Sequence, residues 1–530
     1  MAHYIDGPPM IDGPSVEPDR EVWEGAAALA TTALLNCLIR EVARPEPGAG
    51  PRAYLLPATG RVLRVGGGRF PAWPELRTGR GWVPLTLDTL AALTAAELRA
   101  GTGVSNDALL TEILHSKDVT ESLLAARRAA TPPDDLYVRS EQALIAGHRY
   151  HPAPKARGGA GPAAWLRYAP EAHASFALPL FGVPAEALVE EGDVAALGRL
   201  GPPPADGLFL LPAHPWQVEL LGGLRDGRLH ELGTTAMTAV PTSSVRTVYL
   251  PEADLFCKFS LDVRITNDVR RLWLHDLRWL TVVADAVRAA FDDLPGPRPA
   301  VLSDRGYRSA RLGLDGGEAL AVIVRDGLRE HLRPGLTALL TAGISEGFPG
   351  NPLDGLTGEQ ALSWWQGYLD HVVPPVLHAY LRHGVVLECH LQNVLIGVDA
   401  HGRPAQAIFR DHEGVKLVAE RHPGLDASAP VVGAGYGWER LVYCLVTNNL
   451  LEIAGAIEER HPGLRAELWA RARAVVLACA AEHGDPEELR VLLASAYVPA
   501  KTNLMLRWLN AGGGEMRSVP IDNPLRLFTP

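Results

Sequence analysis

The stretch 384–415, GVVLECHLQNVLIGVDAHGRPAQAIFRDHEGV, constrains this chain more than any other. Two apolar runs, 385–387 and 394–398, flank a dense polar cluster of Glu388, His390, Gln392 and Asn393. A turn rich in Gly, Pro and Asp follows, then the run 405–409, then Arg410-Asp411-His412-Glu413-Gly414. The pattern predicts strand, polar loop, strand, turn, strand and acidic loop. Glu388, His390 and Gln392 are two residues apart, so extended backbone would point them to one side. Asp411 would arrive at the mouth of the neighbouring strand. A carboxylate, an imidazole and an amide backed by apolar strands suit a polar ligand. Two acids converging from adjacent strands are a usual way to hold Mg²⁺ against phosphate oxygens. A single polar residue at a strand end is most often a satisfied surface or core group. A whole cluster between apolar runs is harder to explain that way, because unpaired buried polar groups are costly.

At 530 residues the chain exceeds one hydrophobic core, so two or three subdomains are expected. It is 47% hydrophobic and 21% charged, as soluble globular proteins are. The net charge of −11 and the lack of a long basic run exclude a general nucleic-acid binder, but not a local cationic pocket. Cys37, Cys257, Cys389, Cys444 and Cys479 are scattered without a C-x-x-C pair, which points to reduced thiols and a cytoplasmic setting. The N-terminus has no apolar signal core, and no run of eighteen apolar residues exists, so neither a leader nor a membrane span is expected.

In chain order, residues 1–20 read as a tail and 21–42 as a helix. Runs 54–56 and 61–65 form a hairpin, and 83–85 adds a strand. Helices follow at 88–100, capped by Asp88, and at 105–130, capped within Ser105-Asn106-Asp107. The Pro- and Asp-rich stretch 131–135 is the first border. A helix over 136–147 runs into residues 148–157, where His148, Arg149, His151, Lys155 and Arg157 are held by Pro and Gly. Such cations on a stiff backbone suit a polycarboxylate or a phosphate; the plain alternative is a solvated surface loop. Run 208–212 is a strand leading to a helix over 216–224, with Trp216 in the core. The hydroxyl-rich loop 239–246 enters a strand that turns at 251–254 into a second strand, 256–261. There Ser244, Arg246 and Lys258 could project together, offering a triphosphate charge and directional donors. The region holds no Walker A or G-x-G-x-x-G sequence. Thr266 or Asn267 would cap a helix from Asp268, placing Arg270 in its first turn, where anions bind. Strands at 300–302 and 319–324 would close the middle part. A helix over 327–342 precedes the second border at 348–358, and helices at 359–368 and 373–383 follow. Helices recur at 434–457, 464–482 and 486–495. Lys501 to Arg507 read as a solvated helix, or else as a cover over a pocket.

Six of these motifs stand together. Gly147-His148-x-x-His151-Pro152-x-x-Lys155-x-Arg157, His214-Pro215-Trp216-Gln217, Ser244-x-Arg246-Thr247, Lys258 with Thr266 and Arg270, Glu388-x-His390-x-Gln392-Asn393, and Arg410-Asp411 resemble, in order, those of the aerobactin synthetase (IucA/IucC) family. These are the NRPS-independent siderophore synthetases. The resemblance covers about residues 140–510, with one departure: Arg149 stands where the family usually has Pro. It implies an α+β cupped hand, with a thumb over 1–135, β-rich fingers over 136–347 and a helical palm over 348–530, fingers and palm being distantly kinase-like. It implies adenylation of citrate, or of a citrate or succinate derivative, by ATP and Mg²⁺. An amine or hydroxyl then attacks, releasing AMP and pyrophosphate. Ser244, Arg246, Thr247 and Lys258 would hold ATP phosphates, Glu388 and Asp411 the Mg²⁺, and Gln392 and Asn393 would support that site. His148, His151, Lys155, Thr266, Arg270 and His390 would face the carboxylate, with His390 orienting the acyl-adenylate or deprotonating the nucleophile. Family members also imply a homodimer.

Adenylation brings two anions together, so Arg, Lys and a divalent ion suit it. Two other classes fit some of the same residues. A kinase-like phosphotransferase would release ADP, and a non-catalytic carboxylate or siderophore binder would leave Lys258, Glu388 and Asp411 without a purpose.

Overall fold

The computed structural model describes residues 20–222, 227–313, 317–426, 428–510 and 517–526. The expected tail lies outside them except for Arg20, which starts the first helix.

Three helices, Arg20–Glu41, Leu87–Thr102 and Asp107–Ala129, enclose an apolar core with a five-stranded antiparallel meander. The expected hairpin is there as Ala53–Leu56 and Arg61–Gly66. It is extended by Ala72–Thr78, which the sequence pattern does not predict because Pro74 interrupts it. Asn106 caps its helix as expected. The cap of Leu87–Thr102 is Thr86, whose side chain accepts from the Thr89 amide; Asp88 sits in the first turn instead.

The middle of the chain builds a six-stranded antiparallel sheet in the order Val240–Pro241, Thr247–Leu250, Leu255–Phe259, Val322–Asp326, Asp304–Ala310, Leu188–Gly192. A smaller sheet centred on Pro179–Pro184 packs against its apolar face. Four expectations fail here. The helix from Leu136 ends at Glu141. No helix starts at Asp268: Arg264–Ile265 and Asp268–Val269 form a minute hairpin turning on Thr266 and Asn267, so Arg270 leaves a strand. Residues 327–342 are turns followed by the strand Thr337–Leu340, because their apolar side chains serve a sheet edge. Ala300–Leu302 does not close this sheet; it pairs in parallel with Pro404–Arg410 in the next one.

That next sheet runs Ala300–Leu302, Pro404–Arg410, Val394–Val398, Thr337–Leu340, and two of its strands come from the stretch that opened the sequence reading. Behind it lies the 26-residue helix Gly358–His383. A capping box fixes its start: Thr357 accepts from the Gln360 amide, and the Gln360 side chain accepts from the Thr357 amide. Trp364, Trp365, Tyr368, Val372 and Val376 are buried along it against Trp469 and the sheet. The helical run 434–460 carries a π segment, Tyr443–Leu450. Residues 501–507 are no solvated helix. Lys501 ends the strand Tyr497–Lys501, and Leu504 and Trp508 are buried in the N-terminal core. The last segment therefore ties the two ends of the chain together.

The architecture is a mixed helix and sheet fold. Two helical runs, Arg20–Glu41 and Ala434–Arg460, are long and apolar enough to cross a membrane by length and composition, and the second is mostly buried within the protein.

Candidate active site

Register creates the site. Thr247 pairs with Lys258 across the hairpin, so Arg246 and Lys258 both reach one end of the six-stranded sheet. Lys258, almost fully buried, donates to Asp411 Oδ1 at 2.5 Å and lies 2.7 Å from Glu413 Oε2. Arg246 reaches the same Glu413 oxygen at 3.5 Å and donates to the Arg270 carbonyl at 3.0 Å. Arg325 bridges Asp411, at 3.1 Å, and the fully buried Asp304. Lys258 thus meets Asp411 and Glu413 from a distant loop, and Arg270, from the same part of the chain as Lys258, lies within electrostatic reach of Glu413 and Glu388.

The charge balance is tight. Burial opposes ionisation of Asp411, but Lys258 and Arg325 overcome it and hold the carboxylate well below its ordinary range. Glu413 is shifted down the same way, against burial, by Lys258 and Arg246. Burial and the nearby Arg246 bring Arg270 down to about 10, so it remains a cation at neutral pH. Backbone strain gathers here too. Val245, Thr266 and Asp411 have φ of 68°, 59° and 77°, conformations that cost non-glycine residues about 1–3 kcal/mol each. At Asp411 the left-handed turn ends the strand and starts the loop carrying Glu413.

The opposite wall comes from the loop after Val386. Its backbone turns at 390–393, so Glu388, His390 and Gln392 do not share one extended face as expected. The Gln392 amide donates to Ser243 at 3.2 Å. Glu388 accepts from Arg440 at 2.6 Å, and its other oxygen lies 4.0 Å from His390 Nε2. Asn393 donates to the Glu388 carbonyl at 3.1 Å and reaches its carboxylate at 3.5 Å. Gly414 is required beside them: a Cβ there would sit 1.8 Å from Glu388 Oε2. His390 feels both Glu388 and Asp411, yet burial keeps it below the usual histidine range and therefore neutral.

The 148–157 loop divides. His151 Nε2 meets the Asn267 side chain at 3.2 Å, and Asn267 donates to Asn503 at 2.9 Å, so this loop, the 264–269 hairpin and the C-terminal segment interlock. His148 is half-buried within electrostatic reach of Lys501, His390 and Arg40; loss of solvent first, then these charges, bring it down to about 3. Lys155 is different. Its ammonium is buried against the Leu144 carbonyl and Glu171, and Arg157 shares that carboxylate at 3.0 Å. The expectation that Lys155 faces substrate is corrected: a buried cation with a dedicated partner braces the loop. Thr266 accepts from Arg270 at 2.8 Å and positions it. Ser244 accepts from the Thr247 amide and shapes the hairpin mouth. In the His-Pro-Trp-Gln motif, His214 caps a short helix, Trp216 is core, and Gln217 grips Asp262 and the Ala319 carbonyl. Arg410 is structural, paired with buried Glu141 at 2.5 Å.

Glu413, Arg325, Asp304 and Arg440 are partners that sequence reasoning missed, while Lys501 fell in the stretch read as a solvated helix or a cover over a pocket. Only Glu413 carried a local signal, since it lies in the acidic loop. The site is a dense cluster of cations paired with carboxylates, beside imidazoles, and its composition suits anionic ligands.

Residues 136–346 match the model of the IucA / IucC family. Residues 362–516 also match a ferric iron reductase FhuF-like transporter family. The chain is 29% identical to the rhizobactin siderophore biosynthesis protein RhbC of Rhizobium meliloti, over 94% of this chain and 97% of that protein. It is 29% identical to the L-2,3-diaminopropanoate–citrate ligase of Staphylococcus aureus, over 74% and 75%. Its fold is similar to that of ATP-bound aerobactin synthetase IucA from Klebsiella pneumoniae, with a TM-score of 0.78 and 22% identity, over 94% of this chain and 99% of that one. Its relatives are thus siderophore synthetases and ligases.

Proposed function

We propose that this protein is an ATP-dependent ligase of siderophore biosynthesis that adenylates a carboxylate, citrate or a citrate or succinate derivative, and joins it to an amine or alcohol. The observation that carries this reading is the meeting of Lys258 and Arg246 with Asp411 and Glu413, with Arg270 within electrostatic reach of Glu413. The citrate ligase among the relatives and the ATP-bound structural neighbour support it.

In this reading the N-terminal, middle and C-terminal parts act as thumb, fingers and palm, with the borders expected above and a kinase-like relation between the last two. Arg246, Lys258 and the hydroxyl-lined mouth at Ser244 and Thr247 bind the ATP phosphates. Arg270, held by Thr266, and the imidazole of His148 face the carboxylate, while His151, fully buried with both ring nitrogens taken by Asn267 and the Ala153 amide, holds the loop in place. Two anions meet, and fixed cations lower the repulsion between the carboxylate oxygen and the α-phosphate without reorganising. Carboxylate oxygens at Glu388 and Asp411 are the hard donors Mg²⁺ takes, and the missing Cβ of Gly414 lets the Glu388 carboxylate pack against the loop that follows Asp411. Mg²⁺ bound there would neutralise phosphate charge, with Asn393 and Gln392 supporting the loop. His390 is neutral and so able to orient the acyl-adenylate or accept a proton from the incoming amine.

The test is a product assay with ATP, citrate or substituted citrates, and a panel of amines. AMP and pyrophosphate are expected; ADP would favour a kinase-like phosphotransferase and overturn ligation. With hydroxylamine as surrogate nucleophile, Lys258→Ala and Asp411→Asn should each lower hydroxamate formation by about 100-fold or more. Full activity in either variant removes the assigned role.

A further inference from the structure

A second polar cluster lies apart from this site, where three helices end together. Asp293 follows the helix Leu280–Asp292, His378 and His383 lie in the last turns of Gly358–His383, and His483 follows Arg465–Glu482. His383 Nε2 is 2.9 Å from Asp293 Oδ2, and His378 Nε2 is 3.7 Å from the same oxygen. One ligand atom from each of the three residues lies within 4.8 Å of the others.

The hydrogen-bond chain assigns the tautomers. His483 Nδ1 faces the Cys479 carbonyl at 2.9 Å, and a carbonyl only accepts, so His483 Nδ1 carries the proton. With that tautomer, His483 Nε2 accepts from His378 Nδ1 at 3.1 Å, which leaves His378 Nε2 as an acceptor. It is buried, in a side chain only 5% exposed, and has no hydrogen-bond partner. It points at a carboxylate oxygen, which is also an acceptor. A cation placed between the two acceptors would satisfy both.

We propose that Asp293, His378 and His383 bind a divalent first-row transition ion such as Zn²⁺, with His483 positioning His378. A tetrahedral ion with bonds of ~2.0–2.1 Å spaces its donors about 3.3 Å apart, which the two donor separations bracket. Two imidazoles and one carboxylate, with an open position towards solvent at exposed Asp293, form a borderline-soft set unlike the hard oxygens of the candidate active site. A metal-bound histidine donating its other N–H to a fixed acceptor is the usual supporting arrangement. The ion would pin the ends of three helices behind the sheet that carries Asp411.

The full-length protein, stripped with chelator, is titrated with Co²⁺ and then Zn²⁺. One equivalent of Co²⁺ should give the intense d–d absorption of a low-coordinate site, which Zn²⁺ abolishes, and Zn²⁺ should raise Tm. Asp293→Asn and His383→Ala change partly exposed residues and should lose both the spectrum and the Tm rise while keeping the wild-type circular dichroism. His483→Ala should weaken binding about 10–100-fold. Absence of stoichiometric Co²⁺ binding overturns the site. So does a spectrum unchanged in Asp293→Asn, or one lost in Glu388→Gln instead.

Discussion

At the scale of single residues, Lys258 shows why motif and role are legible separately. A lysine in an apolar strand already reads as a phosphate ligand, but its two carboxylate partners come from a loop some 150 positions away. Gly414 is the reverse case. Nothing in the sequence marks it, yet a side chain there would have to push the Glu388 carboxylate aside. Gly414→Ala should displace the Glu388 carboxylate, lowering kcat/KM by about 10-fold or more and raising the Mg²⁺ concentration needed, with little change in Tm. The desolvated histidines make a pH prediction. Loss of solvent holds His148 and His214 at about 3 and His151 well below its ordinary value. Between those values and about 6.5 the unfolded chain binds more protons than the folded one, so their stability contribution is present above that upper limit and is lost as pH falls. Tm should drop as pH goes from about 7 to about 5, and His148→Gln should flatten that slope. Lys155 marks the limit of such reading: local composition groups it with ligand-binding cations, and only Glu171, sixteen residues on, reveals a brace.

At the scale of elements, periodicity found what it measures. Arg20–Glu41, Asp107–Ala129, Arg465–Glu482 and the hairpin Thr247–Leu250/Leu255–Phe259 follow the expected pattern within a few residues. The failures share a cause. Residues 327–342 are apolar at mixed spacing, which suits a helix or a sheet edge equally, and pairing of Thr337–Leu340 with Val394–Val398 decides. The helix expected at Asp268 fails because Thr266 adopts a left-handed turn held by Arg270, a contact that no cap rule contains. Where a cap is local, it is reliable. Thr357→Ala removes half of the capping box and should cost about 1 kcal/mol, read as a lower urea midpoint with unchanged slope.

At the scale of the whole molecule, the site depends on long-range ties. Arg69, in the N-terminal meander, donates to the Ser345 carbonyl at 3.1 Å and hydroxyl at 2.8 Å, and to the Glu452 carboxylate at 2.8 Å. Arg149 reaches Glu346 at 2.9 Å and lies over the Phe70 ring at 4.3 Å, so the residue that departs from the family motif joins the same seam. Arg69→Ala leaves those acceptors unpaired and should cost about 1–3 kcal/mol by denaturant unfolding, while KM for the carboxylate rises as the 148–157 loop loosens. The sequence by itself determined the mixed fold, the strand–loop–strand stretch at its centre, and the kinds of side chain that gather there, because apolar periodicity and residue chemistry are local properties. Only the tertiary structure decided which of those groups join the site, which are consumed as braces, and which unremarked partners set their charge. Ion pairing and burial depend on distances between segments far apart in the chain, and no local pattern encodes those distances.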